Sequence, residues 1–189
     1  MSMTRDLVWT YSMPNHWQLK EHILSSIDQY IQVGECSDSV TKTDFFDDTF
    51  ESGYPDYFPY LSNSLGGLVD AITDKYWAST MEIRKVWFQQ YTTNDFHGWH
   101  FHGYASISCT YMLELDDPKY STEFIDTEKN EVFQLDVDEG DVLIFPSYVI
   151  HRSPILKSDA RKTSVAFNVN LSTVNLNLIN PIDPSYDYA

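Results

Sequence analysis

The spacing of hydrophobic residues predicts that the chain begins with helices. Apolar residues recur every four positions from Leu19 to Ile31, a spacing typical of an amphipathic helix. Asn15 is placed to cap this helix, which we expect to end near Gly34. A second helical pattern covers residues 61–76, although two adjacent glycines weaken it. The residues before the first helix, 1–13, are typical of a strand or an extended arm.

After residue 82 the hydrophobic period changes from about four residues to two, which indicates β-strands. Turn sequences rich in aspartate, glycine and proline separate the segments. Several short strands after two helices indicate an α+β chain whose β part is a sandwich or a barrel. The predicted strands cover residues 83–91, 105–115, 131–136, 142–145 and 163–171.

We expect residues 1–189 to form one domain, because the sequence shows no repeat and no linker. Its parts are a helical N-terminal region (1–82), a strand-rich core (83–171) and a tail (172–189). Within the first region, residues 35–60 form an irregular segment rich in aromatic residues. This segment is interpreted either as a lid over a site or as a packed loop.

Charge and cysteine content exclude several classes of protein. The net charge of −16 repels phosphate backbones, so binding to duplex nucleic acid is not expected. Cys36 and Cys109 form no CxxC pair, which argues against a thiolate zinc site. The chain shows no apolar run of about 18 residues and no pattern of a signal peptide, so we expect no membrane span and a cytoplasmic location.

Three histidines form the main candidate for a chemical site. His100 and His102 lie two residues apart where a strand is predicted to begin, so on an unbulged strand their side chains share one face with Ser108 and Thr110. His151 follows another predicted strand and its turn. Three imidazoles from two strands can hold a metal and leave positions open for other ligands. The alternative is a surface or hydrogen-bonded pair, and His16 and His97 are expected to be ordinary polar residues.

Arg161 and Thr163 are candidate ligands for an organic acid. Arg161 opens the last predicted strand, and Thr163 shares its face, so a guanidinium and a hydroxyl can bind one carboxylate there. Tyr91 ends the strand that precedes the histidines. Taken alone, Arg161 is interpreted as a solvated surface charge, and Tyr91 as a core or edge residue.

Together, these residues resemble the Fe(II)/2-oxoglutarate oxygenases, particularly their prolyl-hydroxylase-like branch, of which short homologues occur in bacteria and marine phages. The resemblance covers roughly residues 83–171 and depends on the joint spacing of its motifs. It implies a double-stranded β-helix (a cupin-like jelly roll) with N-terminal helices packed on it. It also implies a dioxygenase that uses Fe(II), 2-oxoglutarate and O2 to hydroxylate a small molecule or a protein side chain, in the host cytoplasm if the source is viral. The residues that fall on the family pattern are Tyr91, His100, His151, Arg161 and Thr163.

The chain departs from that family at position 102, where a carboxylate ligand is expected and the sequence has His102. His100, His102 and His151 then form a three-histidine triad, or His102 lies off the metal. Two other functions stay open at this point. One is a cupin-like metalloenzyme that uses three histidines without 2-oxoglutarate, and the other is a non-catalytic jelly-roll module for binding or structure.

Overall fold

A computed structural model describes residues 2–32, 39–48, 50 and 53–179 of the chain. Part of the predicted lid (35–60) and most of the predicted tail therefore lie outside the described residues, as does Cys36. Among the helices described, none is long and apolar enough to span a membrane.

The described residues form five helices and ten strands. The helices are α1 (Met3–Leu7), α2 (His16–Gln29), α3 (Phe58–Ser62), α4 (Gly66–Lys75) and α5 (Leu176–Ile179), with a short 3-10 helix at Pro118–Tyr120. The first five strands are β1 (Trp9–Ser12), β2 (Lys42–Thr43), β3 (Ala78–Tyr91), β4 (His97–His100) and β5 (Ile107–Glu114). The others are β6 (Glu123–Asp126), β7 (Glu131–Phe133), β8 (Asp141–Pro146), β9 (His151–Ser153) and β10 (Lys162–Val174).

The strands form two antiparallel sheets. The larger sheet has the order β1-β8-β5-β10-β3-β2, and the smaller has the order β4-β9-β6-β7. Consecutive strands of the chain repeatedly fall in different sheets, as they do in a jelly roll. The predicted class, an α+β chain with a double-stranded β-helix and N-terminal helices, is confirmed.

Two apolar cores lie on opposite sides of the larger sheet. On the outer side, Ile23 of α2 and Ile72 of α4 belong to one buried cluster with Phe167 of β10. Between the sheets, Phe124 of β6 and Phe145 of β8 belong to a second cluster. The larger sheet is therefore covered by helices on one face and by the smaller sheet on the other, where the polar site lies.

The helix predictions need three corrections. Helix α2 ends at Gln29 and not near Gly34, and Asn15 precedes it in a left-handed conformation (φ 56°) without a side-chain capping bond. The second predicted helix is broken into α3 and α4, because Gly66 and its neighbour begin α4 and do not lie inside one long helix. Residues 1–13 contain α1 as well as the predicted strand.

His16 is not the ordinary polar residue that we expected. Its side chain is buried, with Nδ1 2.7 Å from the Tyr111 hydroxyl and Nε2 3.2 Å from Oε1 of Glu139. Nζ of Lys20 donates to the same carboxylate oxygen at 2.7 Å. This network ties the first turns of α2 to the turn before β8, where Gly140 has a φ of 100°.

We predict that Gly140→Ala lowers the free energy of unfolding. A Cβ atom at this position would lie 2.9 Å from Cγ of His16, and the positive φ disfavours any L side chain. We expect a loss of about 1–3 kcal/mol in urea denaturation. Gly66→Ala is the control, because a Cβ atom at Gly66 meets no atom within 4 Å. Equal stability of the two variants would contradict the proposed clash with His16.

Candidate metal centre

One ring nitrogen from each of His100, His102 and His151 lies within 4.8 Å of the others. His100 ends β4 and pairs with His151, the first residue of β9. The predicted strand through both His100 and His102 is wrong, since β4 ends at His100 and β5 begins only at Ile107. His102 lies in the crossing between the two sheets, where its backbone N–H donates to the Ser147 carbonyl at 2.8 Å.

Backbone carbonyls select the tautomer of two of these histidines. Nδ1 of His100 lies 2.8 Å from the carbonyl oxygen of Gly98. Nδ1 of His151 lies 2.9 Å from the carbonyl oxygen of Val149. A carbonyl oxygen only accepts hydrogen bonds, so each Nδ1 carries the proton and each Nε2 keeps its lone pair. This is the arrangement that orients a histidine for a metal.

His102 has the same tautomer through side-chain contacts. Its Nδ1 lies 2.9 Å from Oδ1 of Asn168 and 3.0 Å from Oγ of Ser108. Nδ2 of Asn168 donates to the Tyr104 hydroxyl at 3.2 Å, which leaves Oδ1 as the acceptor for the imidazole. The ring of His102 is therefore fixed by hydrogen bonds at Nδ1, as are the rings of His100 and His151.

The surroundings of the triad favour neutral imidazoles. Burial lowers the pKa of His151 well below its ordinary value, and the neighbouring His100 lowers it further. Burial also lowers the pKa of His102, although its bond to Asn168 acts in the opposite direction. Only a neutral imidazole binds a metal, so the site is ready to ligate at neutral pH.

His97, which we also expected to be an ordinary polar residue, contacts the triad. Its ring stacks on that of His100 with centroids 4.0 Å apart. Nδ1 of His97 lies 3.0 Å from Nε2 of Gln89, whose Oε1 accepts a bond of 3.0 Å from the Tyr91 hydroxyl. The predicted residue Tyr91 thus lies beside the site and is linked to His100 through these two side chains.

Arg161 and Thr163 are not brought to this site. Arg161 binds the Glu114 carboxylate with Nε at 2.8 Å and Nη2 at 2.9 Å, and Nη1 lies 3.1 Å from Oδ1 of Asp28. The Thr163 hydroxyl donates to the same Glu114 carboxylate. The physical reason is that side chains alternate between the two faces of a strand. Thr163 lies on the same face of β10 as Val165, which packs against the helices and not against the site.

Lys162 occupies the position that the sequence assigned to Arg161. Its side chain is 3% exposed, with Nζ 2.6 Å from the Tyr120 carbonyl oxygen and 2.7 Å from Oγ of Ser153. Burial lowers the pKa of this ammonium to about 7, although Glu123 acts to raise it. Along β10, Lys162 and Ser164 face the cavity, while Val165 faces the helices. This alternation is visible in the sequence and could have identified Lys162 as the residue that points into the site.

Two cavities meet at the triad. The inner cavity has a volume of about 30 Å³ and is lined by Tyr91, Lys162 and Ser164 together with the three histidines. The outer cavity has a volume of about 370 Å³ and a mainly aromatic wall that includes Phe45 and Phe46 of the predicted lid segment. Residues shared by both cavities are Trp87, Gln89, His97, His100 and His102.

Comparisons with known proteins agree with this geometry. Residues 85–168 match the model of the family described as "Putative 2OG-Fe(II) oxygenase". No curated protein matches the chain by sequence.

Solved structures share the fold at low sequence identity. A prolyl-4-hydroxylase from Pseudomonas putida has a TM-score of 0.60 and 11% identity, over 89% of this chain and 97% of its own. HygX from Streptomyces hygroscopicus, solved with nickel, 2-oxoglutarate and hygromycin B bound, has a TM-score of 0.65 and 11% identity, over 88% and 83% of the two chains. For an oxidoreductase of the 2OG-Fe(II) oxygenase family from Burkholderia pseudomallei, the TM-score is 0.53 and the identity 14%. The match spans 62% of this chain and only 60% of that protein.

The family match covers most of the strand-rich core, and it includes Tyr91, His100, His102, His151 and Lys162. The structural matches show the same fold for a larger part of the chain. Residues 85–168 are therefore similar to the Fe(II)/2-oxoglutarate oxygenases, and the chain shares the fold of the solved structures.

Proposed function

We propose that the protein is a non-haem Fe(II)- and 2-oxoglutarate-dependent dioxygenase that hydroxylates its substrate. The observation that carries this proposal is the convergence of three neutral imidazoles beside the buried ammonium group of Lys162. The family match supports the reaction class.

The donor set fits a divalent iron ion. His100, His102 and His151 would hold it through Nε2, because each Nδ1 is engaged with an oxygen atom. Three protein ligands leave positions open for a co-substrate and oxygen. Three neutral ligands also leave the full +2 charge on the metal, where a carboxylate ligand would reduce it to +1.

Lys162 fits the distal carboxylate of 2-oxoglutarate. Its side chain is buried and lines the cavity of the triad, and a carboxylate bound beside it would favour the charged form of the lysine. The inner cavity alone is too small for a five-carbon diacid, since one water molecule fills about 30 Å³. We therefore place the carbon chain across the boundary of the two cavities, with Tyr91 and Ser164 beside it.

Bound together, Fe(II), 2-oxoglutarate and O2 supply the oxidising power to hydroxylate a C–H bond, while the oxoacid is converted to succinate and CO2. The residues of the chain provide orientation and exclude water. The protonated Lys162 would form an ion pair with the distal carboxylate of 2-oxoglutarate. Gln89 and His97 brace His100, and Asn168 fixes the ring of His102.

The small inner cavity favours one alternative, a three-histidine metalloenzyme of the cupin type that does not use 2-oxoglutarate. In that case Lys162 keeps its bonds to Ser153 and the Tyr120 carbonyl throughout the reaction. Anaerobic titration of the Fe(II)-loaded protein with 2-oxoglutarate, followed by visible absorption, separates the two functions. A metal-to-ligand charge-transfer band that saturates with 2-oxoglutarate supports the dioxygenase, and its absence supports the cupin-type enzyme.

We predict that the triad binds one Fe(II) per chain. His100→Ala, His102→Ala and His151→Ala should each abolish or strongly weaken binding, because each removes one of three ligands. The measurement is metal content after anaerobic loading and gel filtration. His22→Ala is the control, since His22 stacks on Tyr60 away from the triad.

The position 102 variants decide whether His102 is a ligand. His102→Asp should restore much of the iron affinity lost in His102→Ala, because aspartate completes the usual triad of two histidines and one carboxylate. Near-native iron content in His102→Ala would instead place His102 off the metal. Native metal content in both His100→Ala and His151→Ala would refute the enzyme hypothesis.

We predict that Lys162→Met lowers the affinity for 2-oxoglutarate while iron still binds. Removing the cation leaves a buried carboxylate unpaired, at a cost of about 2–5 kcal/mol, or roughly 30-fold to several thousand-fold in Kd. Arg161→Ala is the matched control, because this neighbouring cation faces Glu114 outside the cavity. Calorimetric titration measures the Kd of each variant for 2-oxoglutarate. A large loss of affinity in Arg161→Ala with no loss in Lys162→Met would support Arg161 as the carboxylate ligand, as the sequence predicted.

The affinity for 2-oxoglutarate should also depend on pH. In the free protein the pKa of Lys162 is about 7, and the charged groups near it are Glu123 and Arg152, which bind each other at 2.6 Å. A bound carboxylate raises this pKa, so binding above pH 7 takes up a proton. The affinity should therefore fall as the pH rises above about 7, by up to about tenfold per pH unit.

Calorimetry at pH 8 in buffers of different ionisation enthalpy measures the proton uptake directly. We expect close to one proton per 2-oxoglutarate bound, by the linkage between binding and protonation. Lys162→Arg should show almost no uptake, because its guanidinium stays charged. Zero uptake in the unaltered protein would argue against an ion pair at Lys162.

A further inference from the structure

A continuous series of aromatic rings borders the outer cavity. Phe45 lies 5.0 Å from Phe46 and 5.2 Å from Trp87 between ring centroids. Trp87 then lies 5.7 Å from the ring of His102, which in turn stacks on Tyr104 at 5.9 Å. The series thus runs from the cavity mouth to a candidate metal ligand.

The aromatic wall is buried at its base and open at its mouth. Trp87 is 4% exposed, whereas Phe46 is 48% exposed and Phe101, which also lines the cavity, is 60% exposed. When an apolar ligand covers aromatic rings that are exposed to water at a cavity entrance, the free energy of the complex is lowered. The mouth is therefore suited to a ligand that covers these rings.

The described residues that line this cavity include no aspartate, glutamate, lysine or arginine. A ligand anion would find no cationic partner on the wall and would face the negative faces of the rings. A ligand cation would find no carboxylate there, and the ammonium group of Lys85 already lies 4.0 Å from the centroid of Phe45.

We infer that the outer cavity binds an uncharged hydrocarbon part of the substrate, an alicyclic ring or a branched aliphatic group, and that Phe46 and Trp87 determine this specificity. This inference rests on the proposed function, because it places the reacting C–H bond next to the triad. C–H groups pack well on aromatic faces and need no hydrogen-bond partner, so such a group fits a wall of this composition.

Three matched compounds test the charge preference: cyclohexylmethanol, cyclohexanecarboxylate and cyclohexylmethylammonium. They share one ring and differ in the charge of the attached group. Calorimetric titrations at neutral pH use the protein loaded with Ni(II) and 2-oxoglutarate, and the metal-free protein. The alcohol should bind at least about tenfold more tightly than either ion, since a buried charge without a partner is strongly disfavoured.

Two variants connect this binding to the cavity. Phe46→Ala should weaken binding of the alcohol roughly fivefold, through the loss of part of one aromatic contact. Tyr60→Ala is the control, because Tyr60 is a similarly exposed aromatic residue (44%) that lines a different cavity. Tryptophan fluorescence should change on binding in the unaltered protein and much less in Trp87→Phe.

Two results would overturn the inference. One is an ion that binds within about threefold of the alcohol, a difference too small for the burial of an unpaired charge. The other is unchanged affinity for the alcohol in Phe46→Ala. Failure of the proposed function gives a different result, since Fe(II) or 2-oxoglutarate then fails to bind while the metal-free protein still prefers the alcohol.

Discussion

The site depends on the alternation of residues along strand β10, which lies between β3 and β5 in the larger sheet. Its outward residues, among them Val165 and Phe167, pack against the helices. Its inward residues include Lys162 and Asn168, and both are buried. A buried polar group must find a hydrogen-bond partner, so each inward residue fixes another group: Asn168 holds the ring of His102, and Lys162 holds Ser153. A shift of one residue along β10 would exchange the two faces and remove both contacts.

The electrostatics of the site follow from this burial. Six groups that can carry a positive charge line one small cavity: the three triad imidazoles, His97, Arg152 and Lys162. Burial lowers the pKa of His102, His151 and Lys162, and the imidazoles of the triad lower the pKa of His151 further. The cavity thus favours the uncharged forms of His102, His151 and Lys162, and it is suited to a metal ion together with a ligand of opposite charge. The dianionic oxoacid that we propose would meet that condition, because it would compensate the charge on the metal and favour the charged form of the lysine.

The fold class could be predicted from the sequence because it depends on short-range periodicity, whereas the grouping of His151 with His100 and His102 depended on the order of the strands and on the family resemblance. The change from a period of four to a period of two predicted a sandwich or a barrel after the helices, and the resemblance implied the jelly roll. The structure brings His100, His102 and His151 together, as the resemblance implied. The errors arose where the pattern is broken. The chain leaves β4 after His100, and β10 shifts its pairing with β5 between Thr163 and Ser164. Arg161 was assigned from its place on the face of Thr163 and from the family spacing, whereas the apolar residues Val165 and Phe167 on that same face already indicated that Lys162 points inward.

The hydrogen bonds around position 102 are built for an imidazole. His102 and Ser108 both donate to Oδ1 of Asn168, while Nδ2 of Asn168 donates to the Tyr104 hydroxyl. A carboxylate at position 102 only accepts hydrogen bonds, so it would face Oδ1 with repelling lone pairs unless the amide of Asn168 turned over. Turning it would remove the acceptor that Ser108 now uses. Asn168 and Ser108 therefore form hydrogen bonds that suit a histidine at position 102, where the family pattern has a carboxylate. Replacing His102 alone would change this network as well as the charge on a bound metal.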